Sequence, residues 1–187
     1  MLDPQPNAGR RPQRRGRRKG AEIVEFTLAF LPLLMMALVL IDIAWSIYVK
    51  STLEYAVRAG VRYGITITGT QATAAGSDLT TMVKAKVQSN AMGLLNGSSG
   101  LSKIVVHYLQ PPAPGSAAAA TDVSTDSYGN TPGNIMVVSI TNFGLAALVP
   151  RIFNWKGSPD KSATIIGATA ADLIEPSQDV PPIGTAP

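Results

Sequence analysis

Residues 1–20 (MLDPQPNAGRRPQRRGRRKG) show no apolar periodicity and carry Pro4, Pro6, Pro12, Gly9 and Gly16. Such a stretch cannot bury enough apolar surface to offset its ordering entropy, so it reads as disordered. The pattern then turns uniformly apolar: Phe26 to Val49 holds a single charge, Asp42. At 1.5 Å per residue this is about 36 Å of helix, against about 30 Å for a hydrocarbon core. Apolar residues on every face suit a helix immersed in lipid. Trp45 and Tyr48 fall near its far end, where amphipathic rings prefer the interface.

After Val49 the pattern becomes amphipathic without a break. In STLEYAVRAGVRYG, Leu53, Ala56, Val57, Gly60, Val61 and Gly64 recur at three- and four-residue spacing. Glu54, Arg58 and Arg62 repeat every four residues on another face. One continuous helix is therefore expected over 21–65, with a membrane span of about 26–49. Ala56, Ala59 and Gly60 are small enough for close approach of a partner surface.

A polar loop (ITGTQATAAGS) leads to a second helix, with Ser77 or Asp78 as N-cap and Leu79, Met82, Val83, Val87 and Leu94 near one face. The β-branched runs 103–109 and 135–142 read as strands, and 162–174 as a third with Gly167 at a bulge. Residues 110–134 are rich in breakers and read as a mobile loop; the Pro-rich tail 176–187 reads as unstructured. The expected fold class is α+β: a long N-terminal transmembrane and amphipathic helix packed with a second helix on a small antiparallel sheet. The outer domain spans 66–175.

Charge changes this picture in one place. The chain has a formal net charge of +4, but seven basic residues lie within the first twenty: Arg10, Arg11, Arg14, Arg15, Arg17, Arg18 and Lys19. Residues 21–187 keep nine basic and eleven acidic side chains, a formal −2. Most of the case for a folded basic face on nucleic acid is thereby removed. A disordered basic arm is the remaining nucleic-acid reading, but a hydrophobic segment follows the arm at once, and no nucleic-acid partner is expected. The basic excess before the span places the N-terminus in the cytoplasm and the outer domain outside, by the positive-inside rule. With no cysteine, disulfides, thiolate metal sites and cysteine nucleophiles drop out. His107, the single histidine, lies in a strand, where a structural role is the ordinary one, and no Gly-x-Ser-x-Gly, HExxH or phosphate loop is present. No enzymatic activity, metal or cofactor is expected.

The chemistry concentrates at the junction Arg17-Arg18-Lys19-Gly20 | Ala21-Glu22-Ile23-Val24-Glu25-Phe26. Glu22 is accounted for by the positive end of a helix dipole. Glu25 borders a lipid-buried run, where an unpaired carboxylate is expensive, so it requires a partner. These residues resemble type IV prepilins, whose signature is a basic leader, a Gly before the cut, a Glu at the fifth mature position and an apolar helix. The longer stretch 17–65, with Val24-Glu25-Phe26, Pro32 in the span and Ala56-Val57-Arg58-Ala59-Gly60-Val61-Arg62-Tyr63 after it, is similar to TadE-type minor pseudopilins of tight-adherence (Flp-type) pilus systems.

The resemblance implies cleavage at Gly20–Ala21 by a prepilin peptidase, with the leader patch Arg14, Arg15, Arg17, Arg18 and Lys19 holding the junction at the cytoplasmic face of a bacterial inner membrane. It implies a freed amine on Ala21 that is methylated in the family, and pairing of that amine with Glu25 of a neighbouring subunit. The implied partners are the membrane, the peptidase, other pilin or pseudopilin subunits and the Tad-type assembly machinery, with adhesion or secretion as the task. Ala21 departs from the Phe common at that position in other type IV pilins, and the cysteine pair of many relatives is missing. Asp42 is expected to reach the outer interface. Two other readings fit parts of the pattern. An uncleaved signal-anchored periplasmic scaffold would share everything except the junction; a cleavable secretory or twin-arginine signal would need a shorter apolar run and a small-residue cut site after it.

Overall fold

The computed structural model describes residues 18–146, 164–176 and 179–184. The leader up to residue 17, with Arg14, Arg15 and Arg17, lies outside the described residues, as do parts of the tail. The chain divides between Ile41 and Asp42 into two units.

The first helix, α1, runs Arg18–Thr66 and is helical through Pro32. Up to Ile41 its apolar side chains are largely exposed, Phe26, Leu28, Leu33 and Met36 among them. This is the helix long and apolar enough to cross a membrane.

From Asp42 onward α1 belongs to the second unit, and the amphipathic reading becomes packing. Val49, Leu53, Ala56, Val57 and Val61 are buried. The small residues expected to meet a partner surface do so within the chain. A Cβ on Gly60 would lie 2.3 Å from Val87 Cγ2, and one on Gly64 would lie 2.6 Å from Met136 Sδ and 2.8 Å from Val83 Cγ2. Only glycine at these positions allows the helix to approach so closely.

Two short helices and one longer one follow. The α2 helix, Gly69–Ala74, was read as loop because GTQATA lacks large apolar residues. It is held by a capping box in which Thr68 Oγ1 accepts from Gln71 N and Gln71 Oε1 accepts from Thr68 N. The α3 helix, Leu79–Asn90, has Asp78 as its N-cap, accepting from Thr81 N at 2.7 Å. Leu79, Val83 and Val87 form its buried stripe, and Gln88 Nε2 ties its far end to Leu95 O at 2.6 Å. A last turn, α4, spans Gly97–Leu101.

The sheet has the order β2-β1-β3-β4 and is antiparallel throughout, with β1 Ile104–Gln110, β2 Thr121–Asp122, β3 Ile135–Leu145 and β4 Thr164–Leu173. Alternation decides its faces. Ile104, Val106 and Tyr108 of β1 lie opposite Ile140, Val138 and Met136 of β3, and all six are buried. On β4 the matching positions are the small Ala168 and Ala170. The register slips between Ile140 and Phe143, so Thr141 and Asn142 face Gly167. Gly167 thus sits at the bulge, as its position suggested, but the extra residue is on β3, where Asn142 adopts φ +55°. Tyr108 is driven by burial up to about 12, and its hydroxyl lies 3.4 Å from Thr80 Oγ1.

The α+β class therefore holds: a long helix, shorter helices and a small antiparallel sheet. Within the tail, residues 179–184 form a strap across two helix starts. Pro182 O accepts from Leu79 N at 2.9 Å, and Ile183 O accepts from Thr80 N and Thr80 Oγ1. Asp179 Oδ2 accepts from Thr70 N and Thr70 Oγ1, each at 2.6 Å, which holds its carboxyl below the usual range. Helix N-termini leave N–H groups without internal partners, and the strap's acceptors answer them. Proline content predicted only that this segment would not be helix or central strand. The 110–134 stretch is likewise partly structured, supplying β2 and a turn in which Asn134 Nδ2 donates to Gly129 O at 2.9 Å.

Candidate functional site

Gly20, Ala21 and Glu25 all lie on α1, Ala21 and Glu25 four residues apart and so on one face. Their separation along the axis is about 6 Å. All three are exposed, and a Cβ on Gly20 would meet nothing within 4 Å. The described part of α1 opens at Arg18, so the junction Gly20–Ala21 is helical, whereas the sequence placed the helix start at residue 21. Gly20 lowers helix stability there by about 1 kcal/mol relative to alanine. With residues up to Gly20 removed, Glu22 would fall in the first turn, where its charge has the favourable sign.

The motif Ala56–Tyr63 separates by face. Ala56, Val57, Gly60 and Val61 are core, while Arg58 and Arg62 are exposed. Glu54 is ion-paired on both sides along the helix, 3.7 Å from Arg58 and 4.0 Å from Lys50. Tyr63 carries Lys86 over its ring at 5.6 Å. The apolar half of the motif is therefore what seats α1 on the outer domain.

His107 belongs to a polar clamp that the sequence signalled only through the short Asp-x-Ser spacing. Its Nδ1 lies 2.9 Å from Asp122 Oδ2. Ser124 N donates to Asp122 Oδ1 at 2.9 Å, and Ser124 Oγ donates to the same oxygen. Ser124 Oγ in turn accepts from Tyr108 N at 2.9 Å. A hydrolytic triad needs the imidazole between hydroxyl and carboxylate. Here the carboxylate holds both, and the buried hydroxyl is engaged with the backbone, so the arrangement pins β2 to β1.

The two hydrogen bonds from Ser124, followed by His107, hold the Asp122 carboxyl below its usual value. A depressed carboxylate stabilises the fold above its unfolded pKa, about 3.9. That contribution disappears as pH falls through the lower folded value. Thermal unfolding of the detergent-solubilised protein should therefore show a smaller midpoint loss between pH 5 and pH 3 for Asp122→Asn than for the unaltered chain. Equal losses would remove Asp122 from the acid response.

Among the described residues there is no cluster of three or more His, Asp or Glu that could hold a metal. A cavity lined by Gly64, Asn130, Met136 and Pro181 has about 20 Å³ of free space, room for about one water.

Residues 20–62 match the TadE family model, described as TadE-like protein. The chain thus carries a TadE-like N-terminal segment, which starts at the expected pre-cleavage glycine and ends within the post-membrane motif. No curated protein and no solved structure matches the chain.

Proposed function

We propose that this chain is a pilin-like, TadE-type component of a tight-adherence type IV pilus system, cut between Gly20 and Ala21 by a prepilin peptidase and taking part in pilus assembly. The observation that carries the reading is the coincidence of the TadE-like match with the junction: it begins at Gly20 and includes Glu25, the apolar span and Ala56–Arg62. The span anchors the protein in the bacterial inner membrane, with the basic leader cytoplasmic and the outer domain periplasmic. The partners are then the peptidase, other pilin or pseudopilin subunits and the assembly machinery, in a structural and not a catalytic role.

The geometry supports the cut in a physical way. A peptidase accepts extended backbone, so the turn over 18–21 must unwind first. The glycine at position 20 lowers the cost of that unwinding by about 1 kcal/mol relative to alanine. Cleavage removes the seven leader charges and creates an amine at Ala21. N-terminal sequencing of membrane-extracted protein should begin at Ala21 when a prepilin peptidase is co-expressed and at the leader when it is absent. Gly20→Trp should keep its leader in both cases. An intact leader on the unaltered chain in the presence of the peptidase would overturn the reading in favour of an uncleaved anchor.

A further inference from the structure

At one end of the second unit, exposed apolar groups gather around the stretch 42–48 of α1. Ile43, Trp45, Ile47 and Tyr48 are all exposed there, with Trp45 and Tyr48 stacked at 5.5 Å between centroids. A residue far along the chain joins them. Tyr48 Oη donates to Met92 Sδ at 3.5 Å, and Met92 is 68% exposed.

Met92 occupies an unusual position. It follows α3 in the turn 91–95 with φ +49°, a left-handed conformation that favours glycine, and Gly93 after it has φ +83°. Its neighbours are fixed: Ala91 and Leu95 are fully buried, and Gln88 Nε2 holds Leu95 O. The turn is therefore anchored on both sides while a large apolar side chain is directed outward. A methionine held in a strained conformation and exposed to water has no folding rationale. Beside a Trp–Tyr pair that closes an apolar span, it has one.

We propose that the turn Ala91–Leu95 is a second membrane contact, with Met92 entering the headgroup and acyl boundary of the outer leaflet beside Tyr48. The inference rests on the anchoring described above. Interfacial depth is set by Trp45 and Tyr48, because amphipathic rings settle there. The hydrogen bond to Tyr48 carries Met92 to the same depth. Lipid is the occupant by continuity of sequence, since residues 43–48 are the last turns of the apolar run Phe26–Val49. The second unit then meets the bilayer at the turn 91–95 as well as at Trp45 and Tyr48.

The chain has no cysteine, so single labelling sites are unambiguous. Met92→Cys, Met36→Cys in the span and Tyr128→Cys on an exposed turn are each labelled with an environment-sensitive fluorophore. The full chain is reconstituted in phosphatidylethanolamine–phosphatidylglycerol vesicles without nitroxide lipid, with shallow nitroxide lipid to report on 92 and 128, and with deep acyl-chain nitroxide lipid to report on 36. The label at 92 is expected to be blue-shifted and quenched about twofold or more, with that at 128 unaffected. Emission at 92 like that at 128 would overturn the second contact while quenching at 36 upholds the anchor. A blue shift at 92 without lipid quenching would overturn it in favour of a protein occupant. No quenching at 36 would remove the anchor and the second contact with it. Because a Cys at 92 removes the sulfur contact with Tyr48, Ser89→Cys on the preceding helical turn provides a second site, expected to show weaker quenching of the same sign.

Discussion

A Glu25→Ala protein is expected to be processed normally and to be missing from assembled pili. The two outcomes separate because they depend on different physics. On the function proposed above, processing is set by the leader and the turn over 18–21, which Glu25 does not enter. Assembly depends on where the carboxylate goes. In an apolar environment an isolated carboxylate costs about 2.5–3.5 kcal/mol on insertion scales. The amine freed on Ala21 removes that cost if a neighbouring subunit presents it, and a stagger of about 6 Å along the axis brings the two groups level. Alanine lowers the cost of membrane residence, so the variant should stay in the membrane at least as well while losing the contact that sets register. Glu25→Gln, which keeps the size and loses the charge, should fail in the same way. Glu22→Ala should be much milder, since a charge at the helix start is worth about 0.3–1 kcal/mol. Piliation counted by microscopy, alongside the processed fraction in membranes, checks this. Normal piliation in Glu25→Ala would sink the charge-pairing account.

The second large effect is expected at Gly60. Alanine in place of a helical glycine ordinarily gains about 1 kcal/mol. Here the new Cβ would lie 2.3 Å from a methyl of Val87, a side chain with no exposed surface and nowhere to move. Overpacking of this kind costs about 1–3 kcal/mol, so the sign reverses: Gly60→Ala destabilises, and Gly60→Leu by about 3 kcal/mol or more. Against a total of about 5–15 kcal/mol for a domain, the leucine variant should be largely unfolded or degraded. Gly64→Ala should destabilise as well, because a Cβ there would lie 2.8 Å from a methyl of the buried Val83 in addition to 2.6 Å from Met136 Sδ. The decisive measurement is a double mutant. Val87→Ala alone opens a cavity and destabilises, yet in the Gly60→Ala background it should restore stability. Additive losses in denaturant unfolding would mean that the two residues do not share the space.

How far the sequence carried the fold depends on how each element declares itself. The α1 helix was legible because its apolar pattern is continuous and then strictly periodic, and β1, β3 and β4 because β-branched residues alternate between breakers. The α2 helix was missed since it lacks an apolar face, although Thr68 and Gln71 spell a capping box. The strap was missed because its carbonyl acceptors leave no trace in side-chain pattern. Of the candidate site, Gly20, Ala21 and Glu25 were readable from type and spacing. The clamp of His107, Asp122 and Ser124 was not, because it forms only when β2 returns to β1. Met92 was invisible for a related reason: nothing in AMGLL shows which residue the turn would expel.

The strap also bears on the order of events during export. Thr70 and Asp179 are separated by 109 residues, and Thr80 and Ile183 by 103. Contacts of such long sequence separation form late and slowly. A chain made N-terminus first forms α2 and α3 with their local caps well before the strap, so the N–H groups of Thr70, Leu79 and Thr80 wait for their acceptors until 179–184 arrive. Closure without cysteine makes that last step independent of oxidation. The outer domain can therefore mature at the membrane surface at the rate of its own delivery, with no thiol chemistry to gate it.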